Sequence, residues 1–133
     1  MGSLVVEIVV KPAVPILFVS DVTASADFFR DKLGFEIGFL HGTPPFYGEV
    51  YRGGACIHLR QVRRTRFREL AAAEESLILA TIEVSDVGAL YEELQGRGVE
   101  FAQPLAHQVW GGTDFHVRDP DGNAFSFVTY DQA

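Results

Sequence analysis

The chain repeats itself, and the repeat limits what it can fold into. Val19-Ser20-Asp21-Val22 recurs as Val84-Ser85-Asp86-Val87, offset by 65 residues. An amphipathic segment follows each copy. Its apolar positions are Val22, Ala26, Phe29 and Leu33 in the first and Val87, Leu90, Tyr91 and Leu94 in the second. Spacing of i, i+3, i+4 predicts a helix with one buried face. Asp21 and Asp86, or Thr23 in the first copy, can accept from exposed N–H groups at the helix starts. Gly34 and Gly98 suit the left-handed residue that ends a helix.

Strand-like pieces flank both helices: residues 13–20 and 78–84 before them, residues 35–39 and 99–102 after them. Gly53-Gly54 and Asp119-Pro120-Asp121-Gly122 then read as turns between a penultimate strand (46–51 and 113–118) and a last one (55–59 and 123–128). Each half is therefore β-α-β-β-β, and the class is α+β. At 133 residues with 47% hydrophobic content, the chain fits a single domain, residues 1–133, with a real core. It divides into a module over 13–61, a linker over 62–77 and a module over 78–130. The linker region is Arg-rich, with Arg60, Arg63, Arg64, Arg66 and Arg68 ahead of Glu69, Ala71-Ala72-Ala73 and Glu74-Glu75. It reads as a solvated, partly helical connection.

Two such modules in sequence, with Ala13-Val14-Pro15-Ile16-Leu17, Phe28-Phe29, Leu33-Gly34-Phe35, Trp110-Gly111-Gly112-Thr113-Asp114-Phe115 and Arg118-Asp119-Pro120-Asp121-Gly122-Asn123 in order, resemble the vicinal oxygen chelate superfamily. That superfamily includes glyoxalase I, extradiol dioxygenases and bleomycin resistance proteins, and the last are the nearest likeness. The resemblance implies paired curved four-stranded sheets enclosing a cleft, with helices on the convex side.

Period-two alternation sorts the strands between helix and cleft. Leu17, Val19, Ile57, Leu59, Ala80, Ile82, Val84, Phe115, Val117, Phe125 and Phe127 fall on the helix side. Val14, Ile16, Phe18, Cys56, His58, Arg60, Leu79, Thr81, Glu83, Asp114, His116, Ala124, Ser126 and Val128 fall on the cleft side. Ligand-binding candidates are Phe18, His58, Arg60, Thr81, Glu83, Trp110, Asp114, His116 and Ser126. Trp110 has a second reading as a loop anchor, and Cys56 reads as a small buried hydrophobe rather than a nucleophile. His41 and His107 sit in loops without a chemical partner.

The resemblance implies four metal ligands, on the first and last strand of each module. Those positions are Val14, His58, Leu79 and Ser126, and only His58 is a competent donor. The expectation is no metal and no cofactor. A displaced site from His58, His116 and Glu83 or Asp114 is the alternative placement.

Net charge is −7, which disfavours nucleic acid and anionic membranes as partners and suits a cationic ligand. Residues 60–77 hold five of the basic residues, so the modules themselves are more acidic still. A lone Cys56 and the absence of a signal-like or membrane-spanning stretch point to a cytoplasmic protein. Leu4 to Val10 is an apolar run that reads as an extra N-terminal strand, covered by its own sheet or in a homodimer.

The expected function is a metal-independent small-molecule binding protein of the bleomycin-resistance type, sequestering a cationic or aromatic ligand in a dimer cleft. Thr81 and Glu83 depart from the aromatic lining of such grooves, leaving Phe18, Phe39, Phe46, Tyr47 and Trp110 for stacking. The alternatives are a metal-dependent lyase/isomerase or dioxygenase of the glyoxalase type, and a metal-free enzyme using His58 or His116 as base.

Overall fold

Both Val-Ser-Asp-Val signals open a helix in the computed structural model, which describes residues 6–132. In chain order the elements are β1 (Ile16–Val19), α1 (Val22–Leu33), β2 (Glu36–Gly42), β3 (Pro45–Arg52), β4 (Ala55–Gln61), α2 (Phe67–Ala73), β5 (Thr81–Glu83), α3 (Val87–Gly96), β6 (Phe101–Gln108), β7 (Gly112–Arg118) and β8 (Ala124–Tyr130). Asp21 accepts from the Ala24 N–H at 3.0 Å and Asp86 from the Ala89 N–H at 3.0 Å, so each repeated aspartate caps its helix. Gly34 ends α1 at φ 72°, a conformation that costs a side chain with Cβ about 1–2 kcal/mol.

The first sheet has the order β1-β4-β3-β2 and the second repeats it as β5-β8-β7-β6. In each, the first strand pairs in parallel with the last and the rest run antiparallel. The architecture is α+β, as expected. Strand lengths differ from the sequence reading. β1 is shorter, because Pro15 has no N–H to pair, although its carbonyl still accepts from His58 at 3.0 Å. β6 runs on to Gln108 through an irregularity between Gln103 and Ala106, where Pro104 sits on an edge strand that tolerates it. The linker carries α2, anchored by buried Phe67, and an Arg64–Glu69 ion pair.

Helix-side residues of both sheets fuse into one core: Leu17, Val19, Ile57 and Leu59 of the first with Phe115, Val117, Phe125 and Phe127 of the second. Phe29 of α1 stacks on Phe125 of β8 at 5.6 Å, joining the halves. Polar links reinforce the joint. Arg52 forms a two-pronged contact with Glu93 at 2.8 and 2.9 Å and also donates to the Leu33 carbonyl. At the far end Asn123 donates through Nδ2 to the Phe18 carbonyl at 2.9 Å, and Asp121 accepts from the Ser20 N–H at 3.1 Å. The Asp-Pro-Asp-Gly-Asn turn thus clamps the second half to the end of β1.

The extra strand expected over residues 4–10 is not formed within the chain where it is described. Residues 6–10 hold no strand, and Val6, Ile8, Val9 and Val10 are exposed. Leu4 and Val5 lie outside the described residues. Among the described residues each sheet has four strands.

Candidate functional site

Because side chains alternate along a strand, the β3–β4 register decides which groups meet. Glu49 lies opposite His58, Tyr47 opposite Arg60 and Tyr51 opposite Cys56, while Phe39 of β2 lies opposite Glu49. This face is turned away from the helices. The Tyr47 hydroxyl and His58 Nδ1 are 2.9 Å apart, and His58 Nε2 is 3.3 Å from Glu49 Oε1. Cys56 Sγ donates to the same carboxylate oxygen at 3.2 Å. Burial, then the hydrogen bond and charge of Glu49, pushes the Cys56 thiol up from its ordinary pKa. Phe39 stacks on Tyr47 and meets His58 edge-on at 5.8 Å.

Next to this cluster, Phe18 of β1 pairs with Arg60 of β4, and the guanidinium lies 5.8 Å from the ring centroid. Phe18 is 51% exposed, and Ile16, Phe39 and Phe46 are also exposed. Ile16 and Phe18 border a mainly apolar pocket of about 470 Å³ with Phe67, Leu70 and Leu79, flanked by Arg64 and Arg66. The first sheet therefore presents aromatic and apolar surface beside a small polar cluster.

Its counterpart on the second sheet is closed. Asp114, His116 and Ser126 are all buried, and His116 lies directly opposite Ser126, which lies opposite Thr81. Asp114 Oδ1 accepts from Gln103 at 2.8 Å and Gln108 at 2.9 Å, and Asp114 Oδ2 is 3.3 Å from His116 Nε2. Asp114 and His116 are thus engaged within the single chain, with Ser126 buried beside them. Thr81 and Glu83 line a groove of about 700 Å³ along the free edge of β5, across from Pro15, Cys56 and the Arg52–Glu93 pair. Trp110, at the β6–β7 turn, packs edge-on to Tyr130 at 6.1 Å and lies over Gly112, where a Cβ would come within 2.4 Å of the indole. It is both a loop anchor and a half-exposed aromatic surface.

The nine candidates thus fall into groups rather than one pocket. Phe18, His58 and Arg60 share the open first-sheet face, Asp114 and His116 form a buried pair with Ser126 buried beside them, Thr81 and Glu83 border the β5 groove, and Trp110 stands apart at the β6–β7 turn. Glu49 was not singled out from sequence, and Tyr47 only as a ring available for stacking. The signal was present in the alternation of Tyr47, Glu49 and Tyr51 along a strand running back against Cys56, His58 and Arg60.

The superfamily's metal positions do not fit a metal here. The registers set Ile16 beside His58 and Thr81 beside Ser126, while Val14 and Leu79 precede the strands. Val, Ile and Leu carry no donor, and Thr81 and Ser126 offer neutral hydroxyls where carboxylate or imidazole is needed. The displaced set is not assembled either. Among the described residues the one group of three His, Cys, Asp or Glu donors within reach of a common ion is Glu49, Cys56 and His58.

The model of the Glyoxalase/Bleomycin resistance protein/Dioxygenase superfamily matches residues 8–127. The chain is 31% identical over 126 residues to bleomycin resistance proteins of Geobacillus stearothermophilus and Staphylococcus aureus, covering 86% of this chain and 93% of each relative. Among solved structures it is similar to the bleomycin-binding protein from bleomycin-producing Streptomyces verticillus complexed with copper(II)-bleomycin. The TM-score is 0.72 at 30% identity, over 95% of this chain and all of that one (100%). A bleomycin resistance determinant encoded on the transposon Tn5 shares the fold, with a TM-score of 0.71 at 20% identity over 92% of this chain and 100% of that one.

Proposed function

The chain belongs to the glyoxalase/bleomycin resistance protein/dioxygenase superfamily, and we propose that within it this protein is a cytoplasmic, metal-independent binder of the bleomycin-resistance type. It sequesters a cationic or aromatic ligand in a cleft of a homodimer and releases it unaltered. The observation that carries the reading is the pairing of an open aromatic face with superfamily metal positions of which only His58 carries a competent donor. Phe18, Phe39 and Tyr47 offer rings for flat groups, and stacking of this kind contributes about 0.5–1.5 kcal/mol per pair beyond burial. Net charge of −7 favours encounter with a cation.

The placement of the core supports a dimeric reading. The helix sides of both sheets are already packed together, so the exposed face of the first sheet needs a second copy to become a cleft. The exposed run over residues 6–10 gives that copy further apolar surface. The metal-dependent lyase/isomerase or dioxygenase reading requires donors at the superfamily's ligand positions that Ile16 and Thr81 do not supply.

Calorimetric titration with bleomycin in excess chelator tests the proposal. Saturable binding that weakens at least tenfold in Phe18→Ala supports it. Absence of heat with bleomycin and with a panel of cationic aromatic compounds overturns it.

A further inference from the structure

We infer that Glu49, Cys56 and His58 form a binding site for a thiophilic divalent metal ion, of the zinc(II) or cobalt(II) class, on the first-sheet face. Two of the three donors lie outside the positions at which the superfamily's ligands were expected, and the inference does not depend on the ligand-binding reading above.

Three features support it. The donor atoms lie within 4.8 Å of one another on the same face of two paired strands, Glu49 opposite His58 and Cys56 two residues before it. A tetrahedral zinc site with Zn–S of about 2.3 Å and Zn–N and Zn–O of about 2.1 Å has S···O and N···O edges of roughly 3.4–3.6 Å. The observed Sγ···Oε1 and Nε2···Oε1 separations are 3.2 and 3.3 Å, and Sγ and Nε2 lie within 4.8 Å of each other, so a small outward movement of the carboxylate and a closing of the Cys56 and His58 side chains toward one another admit the ion. Lastly, the imidazole is held from behind. With its proton on Nδ1, His58 donates to the Tyr47 hydroxyl at 2.9 Å and directs the Nε2 lone pair at the cluster, the outer contact that metal-bound histidines ordinarily have.

The charge balance is also suitable. Thiolate and carboxylate together neutralise a dication, and the neutral thiol gives up its proton as the Cys56 Sγ–metal bond forms. Loading therefore releases about one proton per ion. Three protein donors leave a fourth position open to the cleft face. The side chains of Glu49 and His58 are 28% and 23% exposed, enough for an ion to enter without unfolding.

Cobalt(II) titration of the chelator-treated, reduced protein, followed by absorbance, tests the site. The expected result is a near-ultraviolet thiolate-to-cobalt band that saturates at about one ion per chain, is displaced by zinc(II), and comes with release of about one proton. Cys56→Ser abolishes the band, Glu49→Gln weakens binding, and Tyr47→Phe weakens it by about tenfold while keeping the band. Circular dichroism of each variant checks that it is folded. A wild type with no such band, or a band that survives Cys56→Ser, overturns the proposal. Neither result bears on bleomycin titration in chelator, so failure of the metal site and failure of the binding function are separable.

Discussion

Asn123→Ala tests the turn that clamps the two halves together. Asn123 is 2% exposed, and its amide nitrogen donates at 2.9 Å to Asp119 Oδ2 and at 2.9 Å to the Phe18 carbonyl. A bond to a charged acceptor contributes about 1.5–3 kcal/mol and a neutral one about 1, so truncation costs roughly 3 kcal/mol. For a chain of this size that lowers Tm by about 10 °C. The loss depends on pH in a definite direction. Burial is the largest influence on Asp119 and pushes its pKa up to about 6, against the opposing hydrogen bonds of Asn123. With the donor gone the carboxylate is less well solvated, so the loss is larger at pH 8, where Asp119 is charged, than at pH 4.5, where it is neutral. Urea unfolding followed by circular dichroism at both pH values reads this, with an unchanged m-value expected. A loss under about 1 kcal/mol, or the same loss at both pH values, refutes the clamp as described.

Other perturbations address separate parts of the structure. Asp119→Asn removes a group whose folded pKa lies above the ordinary 3.8, so that group's contribution is fully present below pH 4 and is lost as pH rises through 6. The stability difference between wild type and variant therefore drifts by at most about 3 kcal/mol across that window, and a flat difference contradicts the placement of Asp119. Arg52→Ala breaks a bidentate but half-exposed pair with Glu93, for an expected loss of about 1 kcal/mol that shrinks in about 1 M salt. A salt-independent loss would assign Arg52 a packing role instead. Ile8→Asp, in the exposed N-terminal run, shifts a dimer toward monomer in light scattering, and a wild type that is monomeric at high concentration contradicts the dimer cleft.

The repeat made the fold legible because both halves use the same local devices. An aspartate cap, a helix with one apolar face, a glycine stop and a glycine-containing turn each act within a few residues, and each can be read there. Strand parity was equally local, and Leu17, Val19, Ile57, Leu59, Phe115 and Phe127 are buried as alternation required. The site was less legible because it depends on register between strands. One such pairing brings Glu49, nine residues earlier on the neighbouring strand, onto His58, and gives Cys56 a carboxylate partner. Accessibility was also beyond a parity argument. Asp114 and His116 lie on the expected strand, but Gln103 and Gln108 from a β6 that extends past its expected end engage Asp114 and leave the pair buried. The N-terminal run was read as a strand from its apolar character alone, and hydrophobicity does not specify a pairing partner.

The most direct test of the account is equilibrium dialysis of chelator-treated protein against bleomycin, with the ligand recovered afterwards and weighed by mass spectrometry. Saturable retention of bleomycin or a related cationic aromatic ligand, with its mass unchanged after prolonged incubation, is the predicted result. A ligand that is chemically altered, or retention that appears only after a divalent metal is restored, would contradict a metal-independent sequestering function.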